Sequence, residues 1–168
     1  VFGANERLTV AGIGVGGKGA SDIKGAGQVG EVIALCDCDF NRGGGAAREF
    51  PKAKKFTDFR EMLDKMGKDI DACTVSTPDH THAPAAIRAM NQGIHVYCQK
   101  PMTHTVWEAR QMRLLAEKNK DCTQMGNQGA SNPEQKMIQK WIKDGRIGKV
   151  HTVHTWTNRP VWAQGSPM

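Results

Sequence analysis

The sequence contains no run of apolar residues near the ~20 that a membrane-spanning helix needs, so a helical span is excluded and no membrane partner is expected. Its five cysteines are odd in number, and none of their spacings matches a zinc site. A disulfide framework is not required. Cys36, Cys73, Cys98 and Cys122 stand in apolar, strand-like runs, where a free thiol acts as a small buried hydrophobe. Acidic residues are the minority, 17 against 23 Lys and Arg, for a net charge of +6. The cations do not cluster. Lys52, Lys65, Lys118, Lys136 and Lys143 fall on separate predicted helix surfaces or turns. Such a surface attracts anionic cofactors without forming the basic stripe of a nucleic-acid reader, and no nucleic-acid partner is expected.

What is present is alternation. Apolar runs at 8–13, 31–37, 54–56, 71–76, 95–98 and 122–126 read as strands, and the stretches between them read as helices. Asn41 is placed to cap the second helix, and Thr57 or Asp58 the third. Pro133 suits the first turn of a further helix with an apolar stripe of Met137, Ile138, Trp141 and Ile142. Strict alternation predicts an α/β fold, a doubly wound parallel sheet covered on both faces. After Gly148 the pattern changes to alternate residues over 149–157, predicting a half-buried strand of a different sheet. The expected organisation is a dinucleotide-binding domain over 1–128, then a connecting helix and the first strand of a second α/β domain over 129–168.

The first strand opens Gly14-Val15-Gly16-Gly17-Lys18-Gly19. Gly14 permits a tight turn, Gly16 lets backbone approach a pyrophosphate, and Gly19 lets the helix pack against the strand. The amino terminus of that helix offers free N–H groups to phosphates. Asp37 ends the second strand, where a carboxylate meets adenosine ribose hydroxyls and repels a 2′-phosphate. NAD is the expected cofactor. Arg42 lies close enough in sequence to keep NADP possible.

Ser76-Thr77-Pro78-Asp79-His80-Thr81-His82 follows the fourth strand. Its hydroxyls and imidazoles are expected to face the crevice near the nicotinamide, the plainer alternative being a loop of helix-capping residues. No third ligand joins His80 and His82 at a persuasive spacing, so no metal is expected. Lys100, in Gln99-Lys100-Pro101 after the fifth strand, is the candidate catalytic residue, because a lysine there can bind a hydroxyl or move its proton. Gln128, after the sixth strand, is a candidate to close the pocket. Arg159 and Trp162 are candidates to grip a substrate, or equally belong to a further core.

With Cys36-Asp37, Thr77 to His82, Gly93 to Pro101 and Gly145 to Val150, the chain resembles the glucose–fructose oxidoreductase / inositol dehydrogenase (Gfo/Idh/MocA) family over about residues 6 to 165. The resemblance implies a nicotinamide-dependent oxidoreductase acting on a sugar, polyol or related alcohol, and a homo-oligomer as the full-length protein. The family lysine maps onto Lys100. Binding of the cofactor maps onto Gly14, Val15, Gly16, Gly17, Gly19, Asp37, Ser76, Thr77, Pro78, His80, His82, Gln99, Lys100 and Gln128. The family usually has Glu-Lys-Pro where this chain has Gln99-Lys100-Pro101. Loss of that carboxylate is expected to favour a lower lysine pKa. Family activity also depends on a second domain, so this portion alone is expected to bind NAD without turnover. A soluble protein is expected, with cytoplasmic and exported locations both open. Two alternatives stand beside the oxidoreductase: an NAD-dependent glycosidase working by transient oxidation and elimination, and a non-catalytic dinucleotide-binding module.

Overall fold

The computed structural model describes residues 7–156. Six strands form one parallel sheet: β1 (Leu8–Ile13), β2 (Gly30–Cys36), β3 (Lys54–Phe56), β4 (Ala72–Val75), β5 (His95–Gln99) and β6 (Thr123–Gly126). Their order is β3-β2-β1-β4-β5-β6. The helices between them are α1 (Lys18–Val29), α2 (Phe40–Glu49), α3 (Phe59–Met66), α4 (His82–Met90) and α5 (Val106–Asn119), followed by α6 (Pro133–Lys143). The doubly wound parallel sheet expected from the alternation is therefore present. The strand order reverses between β1 and β4, and it is outside the carboxyl ends of such strands that a crevice opens.

Contacts divide the chain into two compact units, Val1–Asn127 and Gln128–Met168. In the first, two apolar layers sandwich the sheet. Ala11, Ile13, Cys73, Val75, Val96 and Cys98 pack under α3, α4 and α5 through Met62, Leu63, Ala86 and Met112. Val10, Val32 and Leu35 pack on the other face against Ile23 of α1 and Ala46 and Ala47 of α2. The covering is uneven within this unit. The residues of β6 from Thr123 to Met125 are exposed, and a hollow of about 520 Å³ lies between α5 and β6, lined by Val96, Met112 and Met125. Between β1 and β4, Thr9 joins the sheet's start through two bonds to Asp71, its amide and its hydroxyl each donating to Oδ2 at 2.8 Å.

Local chemistry explains the element ends, with one correction. Asp39, not Asn41, caps α2: its carboxylate accepts the Asn41 amide at 2.9 Å. An aspartate two residues earlier reaches the free N–H groups that Asn41, already inside the first turn, cannot. Asp58 caps α3 and α5 carries a full Thr105–Glu108 capping box.

In the second unit, Pro133 begins α6 as expected. Its stripe stays open, with Met137, Ile138, Trp141 and Ile142 each 39–47% exposed. Residues 148–156 form no strand, contrary to the alternation, and all are exposed. An alternating pattern supplies one buried face only when neighbouring strands pair with it, and none does among the described residues. Among them no helix is long and apolar enough to cross a membrane.

Candidate functional site: a dinucleotide crevice at the strand ends

The glycine turn is locked by close approach. Gly14 adopts φ 76° and donates its amide to the Cys36 carbonyl at 2.8 Å. A Cβ on Gly14 would lie 2.7 Å from the Ser76 carbonyl oxygen, and one on Gly19 would lie 1.8 Å from the Gly14 carbonyl oxygen. Only glycine permits either contact. Gly16 runs beside α2, its Cβ position 3.2 Å from Arg42 Cβ. Val15 sends its side chain into the core, fully buried, and leaves its backbone to the crevice.

Gly17 caps α1 with φ 53°; no side chain satisfies the helix amino terminus and no acidic residue stands in its first turn. A positive helix end with no side-chain cap suits a pyrophosphate, although the Val15 and Gly16 amides of the preceding loop are already held by Asp37. Asp37 stands at the opposite lip. Its Oδ2 accepts the Val15 and Gly16 amides at 2.9 and 3.0 Å, and its Oδ1 accepts the Asp39 amide at 3.0 Å. An ionised carboxylate has about four acceptor positions, so Oδ1 retains capacity for a hydroxyl. The residues fit a dinucleotide.

The strand ends opposite are tied together by a residue that the sequence did not single out. Asp22 lies on α1, its side chain only 5% exposed, and pairs through Oδ1 with Lys18 Nζ at 2.7 Å. Its Oδ2 accepts from Ser76 Oγ and from Gln99 Nε2, both at 2.8 Å. Gln99 is buried and its Oε1 accepts the Lys100 amide at 3.1 Å. Lys100 itself is exposed at the carboxyl end of β5. A carboxylate thus stands one hydrogen bond behind Gln99.

The loop after β4 is less open than expected. Ser76 turns its hydroxyl to Asp22, and Thr77 Oγ1 is buried with no partner among the described residues. Pro78 and His80 are exposed around the 3-10 turn Asp79–Thr81. His82 is 1% exposed; its Nδ1 lies 2.6 Å from the Pro101 carbonyl, which fixes the backbone following Lys100, and its Nε2 is buried with no partner among the described residues. The helical position explains the burial, since His82 opens α4 on the side that packs against the sheet. Gln128 begins a 3-10 turn, Gln128–Ser131, in the second unit. Arg159 and Trp162 lie outside the described residues. Among those described, no group of three or more His, Cys, Asp or Glu is placed to hold a metal ion.

The loop, the acid at the end of β2 and the strand order define a dinucleotide-binding α/β domain. Residues 7–127 match the Gfo/Idh/MocA family model, described as "Oxidoreductase family, NAD-binding Rossmann fold", and the chain belongs to that family. It is 26% identical over 126 residues to inositol 2-dehydrogenase of Salmonella typhimurium, covering 74% of this chain and 37% of the relative. It is 32% identical over 165 residues to a glycosyl hydrolase family 109 protein of Saccharopolyspora erythraea, covering 89% of this chain and 34% of the relative. The solved structure of myo-inositol 2-dehydrogenase from Lactobacillus plantarum superposes with a TM-score of 0.77 at 26% identity, over 86% of this chain and 43% of that one. The chain therefore spans less than half the length of these relatives.

Proposed function

We propose that this chain is the cofactor-binding part of an oxidoreductase that moves a hydride between a nicotinamide and a carbon bearing a hydroxyl, on a sugar, polyol or related alcohol. The observation that carries the reading is Lys100: exposed at the end of β5, with its own amide fixed by Gln99 and the next carbonyl held by His82. NAD is favoured over NADP by Asp37 at the end of β2. Thr77, Pro78 and His80 are proposed to line the nicotinamide end; Gln128 is proposed as a further cofactor residue, and Arg159 and Trp162 as substrate residues. When bound, the nicotinamide supplies the hydride acceptor. Lys100 binds the substrate hydroxyl and, in its neutral form, takes the hydroxyl proton at Nζ as the carbon is oxidised; in the reverse direction the ammonium returns it. The α1 amino terminus would receive the negative charge of a bound dinucleotide, and Asp37 would accept from a ribose hydroxyl.

The relatives' named activities support a carbohydrate-like substrate, which we propose here together with a homo-oligomeric native enzyme. A second reading, a glycosidase that oxidises and re-reduces its sugar on one bound NAD, is favoured by the 32% identity to the glycosyl hydrolase relative, which runs over 165 residues. Two assays on the native enzyme separate them. Polyol-dependent formation of NADH, lost in Lys100→Met, is the oxidoreductase outcome. Release of free sugar from a glycoside with no net NADH is the glycosidase outcome. Calorimetric binding of NAD⁺ with neither activity returns the chain to a non-catalytic module.

A further inference from the structure

Asp22 occupies an unusual place for an aspartate on a surface helix. Its side chain is 5% exposed and pairs with Lys18, yet its other oxygen accepts two bonds from beyond the helix: one from Ser76, just past β4, and one from Gln99, the last residue of β5. It therefore joins the glycine-loop helix to the carboxyl ends of the neighbouring strands β4 and β5. Gln99 relays this anchor onward. Its Nε2 donates to Asp22 while its Oε1 accepts from the Lys100 amide. Its amide lies over Gly126, where a Cβ would come within 2.8 Å of the amide nitrogen, so a side chain at 126 would displace it.

The polarity of this relay is specific. Position 99 must present a donor to a buried carboxylate and an acceptor to a backbone N–H, and a primary amide does both. An ionised glutamate there supplies only acceptors and faces Asp22 as a like charge in a desolvated place. Turning away from Asp22 would carry its oxygens off the Lys100 amide.

We infer that Asp22 is a positioning residue for Lys100: acting through Gln99, it fixes the lysine's backbone at the crevice, and it is the reason that this chain carries an amide ahead of the lysine. This rests on the proposed role of Lys100 in binding the substrate hydroxyl. A residue that merely holds α1 to the sheet would also be buried, so the test turns on reciprocity.

Three variants are compared: Gln99→Glu, Asp22→Asn, and the two combined, in which the amide and the acid have exchanged sides. The first readout is amide hydrogen exchange of Lys100 in the 168-residue chain with NAD⁺ bound. The second is kcat and KM of the native enzyme on a polyol. Gln99→Glu is expected to speed Lys100 exchange and to lower kcat, each by about tenfold, the equivalent of one lost hydrogen bond. KM for NAD⁺ should change much less than kcat. The combined variant is expected to recover most of both losses, which independent sites would not do. If it exchanges and turns over no better than Gln99→Glu, or if Gln99→Glu leaves Lys100 exchange unchanged, the inference is overturned. If exchange is rescued but the native enzyme oxidises no polyol, the positioning role stands and the proposed reaction is what fails.

Discussion

Asp37 holds the crevice open with three backbone bonds before any ribose arrives. Both loop amides point at the same oxygen, so the site needs an acceptor and not merely a side chain of the right size. Asp37→Asn keeps the shape but gives one side a donor that must face N–H groups. We expect it to destabilise the domain by about 1–3 kcal/mol, the cost of leaving a buried polar group unsatisfied. Calorimetric titration should show NAD⁺ binding weakened by about tenfold or more, a loss of roughly 1.4 kcal/mol. Unchanged NAD⁺ affinity in this variant would remove Asp37 from the ribose site. Asp37 was legible in the sequence because it closes an apolar strand after a glycine loop. Asp22 was not: on an amphipathic helix an acid four residues from a lysine reads as a solvent-exposed pair. Only the arrival of Ser76 and Gln99, 54 and 77 residues later in the chain, buries it.

At the scale of elements, the two glycine-rich helices divide their glycines sharply. Gly19 in α1 sits against the Gly14 carbonyl, and its replacement by alanine forces that turn apart. We expect Gly19→Ala to cost about 3 kcal/mol, the upper end for overpacking. Gly45 in α2 has nothing within 4 Å of its Cβ position. Gly45→Ala is therefore expected to stabilise the chain by about 0.5–1 kcal/mol through helix propensity. Urea unfolding of both variants checks the pair, and a neutral Gly19→Ala would contradict the close approach. Most elements were legible because a parallel sheet buried on both faces writes continuous apolar runs. Over the described residues 149–156 no strand forms, because alternation states which face a strand would bury, not whether a neighbour among the described residues pairs with it. At the first position of α4 the ring of His82 packs against the Pro101 carbonyl.

For the whole molecule, the thiols report on how well the sheet is sealed. Cys36, Cys73 and Cys98 lie in the sheet, 3% exposed or less, while Cys38 and Cys122 are exposed. Burial pushes each of the three buried thiols from 9.0 up to about 12, helped at Cys36 by the neighbouring Asp37 charge. Unfolding exposes them at their ordinary value, so above pH 9 the unfolded chain binds fewer protons than the folded one. Stability from this source is intact below about pH 9 and declines as pH rises toward 12. The alkaline slope of unfolding free energy should be shallower in Cys98→Ala by about one proton per molecule. An unchanged slope would show that Cys98 is not sealed. The topology has a consequence for how the chain is made. Every strand pair here is parallel, so none is a hairpin, and β1 finds its second neighbour only in β4. During synthesis Val10, Ala11 and Ile13 must wait, half-paired, until residue 75 has left the ribosome, and the clasp of Thr9 on Asp71 marks the moment at which the centre of the domain can first close.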